Sequence, residues 1–304
     1  MTQRIDLGSR KETIFSCVVD ADPRFAYGAY HLARSLIEHS CDDPADIHVQ
    51  FTSEVSNATR CVFLDLGCSL HEIQCFGDGR YCNRIAQLGN LQDYDFAHVV
   101  LLDTDTIVLA DLRPYLANDA LMGKVVDLPG PSVGVLEEIA HRAGMRALPS
   151  LVAVDAGSDQ TYLGNCNGGF YAMPKALRQL VAQEWRRWAC WLLDNIEPLK
   201  REGKEAHVDQ VAMWLAVHIA KIPYEVAPSN LNYYVHFTGE HRYLDPRFGI
   251  VLLHYHHLSD IGQIEPGVEL DQVGRVAVAK ANEQIARALT IARFGTCVTR
   301  GFRT

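Results

Sequence analysis

Two aspartates, Asp103 and Asp105, follow an apolar run in an arrangement that could hold a metal ion. Residues 99–102 are apolar without a break, which is typical of a strand buried on both faces. In an open α/β sheet, ligands bind at the carboxyl ends of such strands. The two carboxylates share a face of an extended chain, so they repel each other unless a cation or a donor lies between them. A hard divalent cation that holds a diphosphate would satisfy both; a plain strand-end turn is the alternative, because Asp-x-Asp is a short pattern.

Acidic residues also follow the first predicted strand, residues 13–19, where Asp20 and Asp22 stand. Carboxylates therefore occur again at the carboxyl end of a strand. Asp209 lies in the first turn of a predicted helix over residues 207–218. An acidic residue there usually stabilises the helix dipole, so Asp209 indicates chemistry only with support from other residues.

Glycines and histidines mark two further strand boundaries. The run Asn167-Gly168-Gly169 enters a predicted strand, and paired glycines allow a ligand to approach the backbone closely. A β-bulge explains the same glycines equally well. Three histidines occur within residues 254–257, at the end of the last predicted strand. A single histidine there is usually a hydrogen-bonded polar residue, but three so close together favour ligand binding.

Strands and helices alternate along the chain and must position these residues. The predicted strands cover residues 13–19, 47–52, 70–76, 99–102, 125–128, 165–173, 222–227 and 250–255, and the predicted helices cover residues 25–39, 53–66, 81–91, 176–193, 207–218 and 270–294. This alternation predicts a parallel, doubly wound sheet. The weakly patterned insert at residues 130–164, with a helical piece near 135–143, is either a mobile lid or an acceptor-side subdomain.

Composition and charge limit the class of protein. A chain of 304 residues with 48% hydrophobic and 21% charged residues can form one large α/β domain or two modest ones. The net charge of -9 argues against nucleic-acid binding, which needs a basic face, but is compatible with a nucleotide ligand. We find no signal peptide and no run of membrane-spanning length. The nine cysteines form no C-x-x-C pair, so we expect reduced thiols and a cytoplasmic location.

Basic residues dominate the C-terminal part from Arg275 onward. Such an end could contact an anionic membrane surface, which would place the protein peripherally on the inner face of a membrane. A solvated helix face followed by a frayed tail explains the same charges and is the favoured interpretation. The sequence does not indicate an oligomeric state.

The order of these landmarks resembles the family 8 glycosyltransferases, which include glycogenin and bacterial lipopolysaccharide galactosyltransferases. The landmarks are an acidic residue after the first strand, Arg84 before the central strand, Asp103-Thr104-Asp105, Asn167-Gly168-Gly169, Asp209-Gln210 and His254-Tyr255. The resemblance runs from about Cys17 to Tyr255 and is most specific around VVLLDTDTIVL. It implies a GT-A type, Rossmann-like, doubly wound mixed α/β sheet. Residues 1–260 would form the transferase domain and residues 261–304 a C-terminal helical extension of it.

The resemblance implies a metal-dependent transfer of a sugar. Asp103, Asp105 and His254 would bind Mn²⁺ (or Mg²⁺) beneath the donor's diphosphate, where the ion acts as a Lewis acid. Family members move a hexose with retention of configuration. The implied reaction here takes a hexose from a nucleotide sugar, expected to be a UDP-sugar, to a hydroxyl of a glycan, lipid or small-molecule acceptor.

The resemblance also assigns binding and catalytic residues. Asp22 would contact the nucleotide base and Phe25 would cover it. The residues expected around nucleotide, phosphates and sugar are Asp20, Asp22, Phe25, Asn83, Arg84, Asp103, Thr104, Asp127, Gly168 and Gly169. The residues expected at the reacting carbon are Asn167, Asp209 and Gln210.

One departure and two alternatives accompany this interpretation. The family carries a lysine where this chain has Asp260, and a carboxylate pointing inward there would oppose departure of the diphosphate unless His256 or His257 supplies the charge. A phosphatase of the haloacid dehalogenase superfamily also fits LLDTDTIV, with Asp103 as nucleophile. A catalytically inactive sugar-nucleotide-binding module is the other alternative.

Overall fold

Strands and helices alternate in the structure as the sequence pattern predicts. The computed structural model describes residues 12–238, 241–259 and 262–291. Its strands are β1 (Thr13–Val19), β2 (Ile47–Phe51), β3 (Ser69–Glu72), β4 (His98–Leu102), β5 (Thr106–Val108), β6 (Leu121–Val125), β7 (Leu151–Ala153), β8 (Gln160–Tyr162), β9 (Cys166–Pro174), β10 (Tyr224–Val226), β11 (Tyr233–Tyr234) and β12 (Leu252–His254). Its α-helices are α1 (Pro23–His39), α2 (Asn57–Asp65), α3 (Gln87–Asn90), α4 (Val133–Arg142), α5 (Lys175–Asp194), α6 (Glu197–Arg201), α7 (Val208–Ile219) and α8 (Gln272–Ile291).

The main sheet has seven strands in the order β10-β6-β9-β4-β1-β2-β3. Strands β1 to β4 pair in parallel, and so do β6 and β10. Strand β9 runs antiparallel to both β4 and β6. The all-parallel sheet expected from the alternation alone was therefore wrong, whereas the mixed sheet is confirmed. A parallel neighbour needs a crossover back to the starting edge, but β9 begins at the edge where β4 ends.

Both faces of the main sheet are covered by apolar side chains. On one face, Trp185 of α5 and Trp214 of α7 are fully buried. On the other, Leu32 of α1 and Phe63 of α2 pack against Phe15 of β1. This two-sided burial explains why residues 99–102 form an uninterrupted apolar run.

A second sheet of three strands lies beside the carboxyl edge of the first. Its order is β11-β12-β5, with β12 antiparallel to β5 and parallel to β11. Helix α8 packs on it through the buried residues Ala277, Ala281 and Ile285. This sheet was not expected from the sequence, because β5 and β11 are only three and two residues long.

Several predicted boundaries were wrong. The strand expected at residues 125–128 is β6, which ends at Val125 and buries Lys124 completely; the lysine hid it from the apolar pattern. The helix expected over residues 81–91 is a 3-10 segment, Tyr81–Ala86, followed by α3. The insert at 130–164 contains α4 and an antiparallel pair, β7 and β8.

Some sequence features lie outside the described residues, namely Arg293, Arg300 and Arg303 of the basic end, residues 292–294 of the last predicted helix, and Asp260. No helix in the part of the chain that the structure describes is long and apolar enough to cross a membrane.

Candidate active site

The pairing of β5 with β12 brings His254 beside Asp105. His254 lies opposite Thr106 in this ladder, and the backbone N–H of Tyr255 donates to the carbonyl of Asp105 at 3.0 Å. The Nε2 atom of His254 consequently lies 3.3 Å from Oδ1 of Asp105. Register between two short strands thus joins residues that are far apart in sequence.

A second histidine, His256, turns back onto the same carboxylate. Its Nδ1 atom lies 3.4 Å from Oδ2 of Asp105, and its backbone φ is 58°. Asp105, His254 and His256 each offer a ligand atom within 4.8 Å of the others; we call them the imidazole–carboxylate cluster. Burial would raise the pKa of Asp105, but the two histidines hold it well below its ordinary value, so its carboxylate is charged.

Asn232 orients His254 toward this cluster. The Nδ1–H of His254 donates to Oδ1 of Asn232 at 2.9 Å, because the amide nitrogen of Asn232 donates to Oδ1 of Asn167 at 3.2 Å. The same oxygen of Asn167 accepts the N–H of Gly169 at 2.8 Å. A donor hydrogen on Nδ1 leaves the lone pair of Nε2 facing Asp105, the tautomer that binds a metal ion.

Asp103 lies in a different group of charges, together with Arg84 and Asp209; we call these three residues the Arg84 cluster. An Nη2 atom of Arg84 lies 2.5 Å from Oδ1 of Asp103, and its Nε lies 3.2 Å from Oδ2 of Asp209. Burial alone would lower the pKa of Arg84, but the two carboxylates raise it above its ordinary value. Arg84 is therefore a permanently charged link between β4 and the first turn of α7.

Asp209 is almost completely buried, with 1% of its surface exposed. Burial raises the pKa of its carboxyl to about 6, although Arg84 opposes the shift. Neither carboxylate oxygen has a hydrogen-bond partner among the described residues. The backbone carbonyl accepts a hydrogen bond from the indole of Trp185 at 2.7 Å, which fixes the start of α7, and Gln210 follows half-buried on the same turn.

The two glycines of β9 make room for these side chains. A Cβ atom on Gly168 would lie 1.8 Å from Nη1 of Arg84. A Cβ atom on Gly169 would lie 2.5 Å from the ring of His254. The register between β6 and β9 also shifts beside this run, so the close approach and the β-bulge weighed for these glycines both occur.

The residues expected around the nucleotide lie after β1. The amide of Asn83 donates to Oδ1 of Asp20 at 3.0 Å, and burial raises the pKa of Asp20. Asp22 caps α1 by accepting the N–H of Arg24 at 2.9 Å and also pairs with its guanidinium. Phe25 is 42% exposed in the first turn of α1. The carboxylate of Asp22 is thus engaged, while the Phe25 ring is open to a partner.

Thr104, between the two aspartates, contributes its backbone. A Cβ atom on Gly28 would lie 2.3 Å from the carbonyl oxygen of Thr104, so α1 can pack this closely only with glycine. The same carbonyl accepts the hydroxyl of Tyr255 at 3.3 Å. Helix α1 and the end of β12 therefore fix the turn that carries Asp103 and Asp105.

Asp127 is held by a histidine that the sequence did not single out. Its Oδ2 atom pairs closely with Nε2 of His236, and this pairing lowers the pKa of Asp127 against the effect of burial. The ring of His236 lies 4.3 Å from the ring of His256. Asp127 is consequently joined to the imidazole–carboxylate cluster through stacked imidazoles.

A buried ion pair supports this region from beneath. The ammonium of Lys124 is fully buried, 2.6 Å from Oδ2 of Asp155 and 3.3 Å from the ring centre of Tyr234. Asp155 also receives the imidazole of His241 at 2.7 Å and the hydroxyl of Ser229 at 2.9 Å. The pair joins β6 to the insert and to the segment around β11.

Sequence reasoning missed three contributors. Asn232 and His236 lie in a loop without a recognisable pattern, and Gly28 lies inside a helix, where its contact with Thr104 has no local signal. His256 had a signal, the three histidines at 254–257, but it was not placed on the metal. His257 is exposed and lies outside the cluster.

Comparison with solved structures defines the class of the fold. An active-site mutant of LgtC superposes with a TM-score of 0.55 and 14% sequence identity, covering 95% of this chain and 99% of that chain. The galactosyltransferase LgtC in complex with donor and acceptor sugar analogs gives a TM-score of 0.51 and 15% identity, covering 92% of this chain and 97% of that one. The chain has the GT-A glycosyltransferase fold.

Sequence comparison then gives the family. Residues 15–221 match the Rhodobacterales glycosyltransferase domain, so the chain belongs to that family and is a glycosyltransferase. No curated protein is similar enough in sequence to match it.

Proposed function

We propose that this glycosyltransferase is of the family 8 type and transfers a hexose from a UDP-sugar to an acceptor hydroxyl, with a divalent cation and with retention of configuration. The observation that carries the proposal is the convergence of Asp105, His254, Arg84 and Asp209 at the carboxyl edge of the sheet. These residues come from four distant parts of the chain. A carboxylate with imidazole beside a buried guanidinium suits a cation and a diphosphate at one place.

The imidazole–carboxylate cluster has the donor chemistry for a cation. Asp105 is charged, and the lone pair of His254 on Nε2 faces it because Nδ1 is bound to Asn232. When bound there, Mn²⁺ or Mg²⁺ would supply Lewis-acid stabilisation of a departing diphosphate. The chain's own residues would align the donor: Asn232 orients His254, and the turn at Thr104 holds Asp105.

The Arg84 cluster would hold the transferred sugar and the charge that develops on it. Arg84 would attract donor phosphate oxygens while keeping Asp103 and Asp209 in place. The buried carboxylate of Asp209 would stabilise positive charge on the sugar ring as the bond to the diphosphate breaks. Gln210 and Asn167 would orient the sugar, so that the acceptor hydroxyl attacks the face that the diphosphate leaves.

The open ring of Phe25 suits a nucleotide base, because a flat aromatic side chain at an exposed edge can stack on one. Asp20, held by Asn83, and the end of β1 would form the rest of this end of the site. The acceptor would be a glycan, a lipid or a small molecule, approaching from the side of Asp127 and the insert.

Calorimetry with UDP and a panel of UDP-hexoses, with and without Mn²⁺, tests the proposal. We expect UDP to bind only with the cation and one UDP-hexose to be hydrolysed slowly without an acceptor. Asp105→Asn should abolish cation-dependent binding, whereas Asp119→Asn, an exposed aspartate remote from the site, should not. Absence of UDP binding at millimolar concentrations, in a folded protein with Mn²⁺ present, would refute it.

The phosphatase alternative is disfavoured by the pairing of Asp103. Its carboxylate lies against Arg84 at 2.5 Å, whereas a phosphoryl-accepting nucleophile must be free to attack. Turnover of p-nitrophenyl phosphate without any response to UDP-sugars would reverse this ranking. Tight UDP-sugar binding without hydrolysis or transfer would favour a binding module.

A further inference from the structure

The second histidine of the imidazole–carboxylate cluster changes the chemistry of the cation site. We propose that His256 is a metal ligand, so that the site uses one carboxylate and two imidazoles (Asp105, His254 and His256), while Asp103 remains with Arg84. The proposal deepens the proposed function, because it concerns the cation of the same site. It differs from the set expected by family resemblance, in which Asp103 is a ligand and His256 is not.

Distances support three ligands around one ion. Ligand atoms about 2.1 Å from a common ion, and separated by roughly 90–110°, lie about 3.0–3.4 Å from each other. The Asp105–His254 and Asp105–His256 contacts measure 3.3 and 3.4 Å. The two imidazole rings lie 4.0 Å apart at an angle of 62°, so both can face a point beside the carboxylate without overlapping.

The backbone at His256 is a second and independent observation. Its φ of 58° is in the left-handed region, which residues with a side chain adopt reluctantly and which clusters at functional sites. An extended residue at this position would carry its side chain away from Asp105. The left-handed turn brings the ring back, between His254 and His236.

Asp103 is not needed in this set. Its carboxylate lies against Arg84, which is also held by Asp209. Moving Asp103 onto a cation would leave a buried guanidinium with one carboxylate in place of two, which is unfavourable. Among the described residues, the group of ligand atoms that could hold an ion contains His256 and lacks Asp103.

A set with two imidazoles selects its cation. Mg²⁺ prefers oxygen ligands in octahedral geometry, whereas imidazole suits Fe²⁺, Co²⁺, Ni²⁺ and Zn²⁺, and Mn²⁺ accepts both kinds. We therefore expect this site to bind Co²⁺ and Mn²⁺ well and Mg²⁺ poorly. Replacing His256 should narrow that difference.

The test measures cation binding without any donor sugar. Mn²⁺ bound to the full chain is studied by pulsed EPR, which detects imidazole nitrogens, and affinities for Mn²⁺, Co²⁺ and Mg²⁺ are measured by calorimetry. The variant His256→Gly removes the imidazole and suits the left-handed backbone, so it avoids misfolding; circular dichroism checks the fold. His257→Ala removes the exposed neighbouring histidine as the matched control.

Two imidazole nitrogens should couple to Mn²⁺ in the parent chain and in His257→Ala, but one in His256→Gly. The affinity of His256→Gly for Co²⁺ should fall at least about tenfold and its affinity for Mg²⁺ much less. Asp103→Asn should leave cation affinity within about twofold. A single coupled nitrogen in the parent chain, or a loss in Asp103→Asn as large as that in His256→Gly, would overturn the proposal. Because no nucleotide is present, this failure is distinct from failure of the transferase function, which shows as absent UDP binding.

Discussion

The guanidinium of Arg84 lies 3.2 Å from the carboxylate of Asp209, yet the pKa of that carboxyl is raised to about 6. Burial disfavours the charged form more than Arg84 favours it. Asp103, also paired with Arg84, adds to the increase. The two carboxylates thus share one guanidinium, and the deeper of them, Asp209, is held at a cost to stability until a ligand's charge arrives.

The first prediction concerns stability and pH at Asp209. Its folded pKa lies above its unfolded value, so between about pH 4 and pH 6 the folded state binds more protons, and this group favours folding increasingly as pH falls. Asp209→Asn, which resembles the protonated form, should raise the free energy of unfolding at pH 8 by roughly 1–3 kcal/mol. Urea unfolding at pH 8 and pH 4.5 checks it.

The advantage of Asp209→Asn should fade at pH 4.5, because the parent residue is then protonated too. Asp119→Asn, at an exposed position, should behave like the parent chain at both pH values. An asparagine variant that is less stable than the parent at pH 8 would show that the link to Arg84 outweighs burial.

The second prediction concerns the paired glycines. Gly168→Ala would place a Cβ atom 1.8 Å from Arg84, and Gly169→Ala would place one 2.5 Å from His254. Each should destabilise the fold by about 1–3 kcal/mol through overpacking and should displace the side chain that it meets. Thermal unfolding and Mn²⁺ calorimetry separate the two, since only Gly169→Ala disturbs a residue of the imidazole–carboxylate cluster.

Gly134→Ala is the matched control, because nothing lies within 4 Å of a Cβ there and the residue is in α4. Alanine is a better helix former than glycine by about 1 kcal/mol, so this variant should be slightly more stable. Equal behaviour of Gly168→Ala and Gly134→Ala would contradict the close approach of Arg84.

The strands and helices that carry the site could be predicted from sequence, because buried strands and amphipathic helices leave periodic patterns. Strand β1 was predicted without error, and the apolar run before Asp103 was located correctly. The GT-A fold was also confirmed. What the patterns lacked was the second sheet, since strands of two or three residues have no period, and the orientation of β9.

The partners of the site residues could not be predicted, because they depend on register and side-chain direction. No sequence pattern says that Asp103 turns to Arg84 while Asp105 turns to histidine. Nor does a pattern show that Gly28 must accommodate the carbonyl of Thr104. Lys124 lies in a strand, where a charged residue argues against burial, and only its distant partner Asp155 explains it.

The third prediction concerns Asn232 as a positioning residue for His254. Asn232→Ala removes the acceptor that holds the Nδ1–H of His254 at 2.9 Å, so the ring can rotate or change tautomer. Residues that orient a metal-binding histidine typically contribute roughly tenfold to a hundredfold in metal affinity, and we expect such a loss for Mn²⁺ by calorimetry. Asn232→Asp keeps the acceptor oxygen and should lose less. An unchanged affinity in Asn232→Ala would mean that β12 alone holds the ring.

The fourth prediction contrasts two lysine–aspartate pairs of equal length. Lys124–Asp155 and Lys175–Asp95 both measure 2.6 Å, but the first is fully buried and the second is exposed. Lys124→Met leaves Asp155 buried without its ammonium partner and should cost about 3–5 kcal/mol of unfolding free energy. Lys175→Met should cost less than about 1 kcal/mol. Urea unfolding at pH 7 measures both.

The same pair makes a prediction about alkaline pH. Burial lowers the pKa of Lys124 to about 8, although Asp155 opposes the shift. The unfolded chain therefore binds more protons between about pH 8 and pH 10.5, so this group's contribution to stability rises with pH across that window. The stability difference between the parent chain and Lys124→Met should thus change between pH 7 and pH 10, whereas that of Lys175→Met should stay constant. A pH-independent difference at Lys124 would mean that Asp155 holds the ammonium charged throughout, and that this buried pair stabilises the region beneath the site as a permanent ion pair.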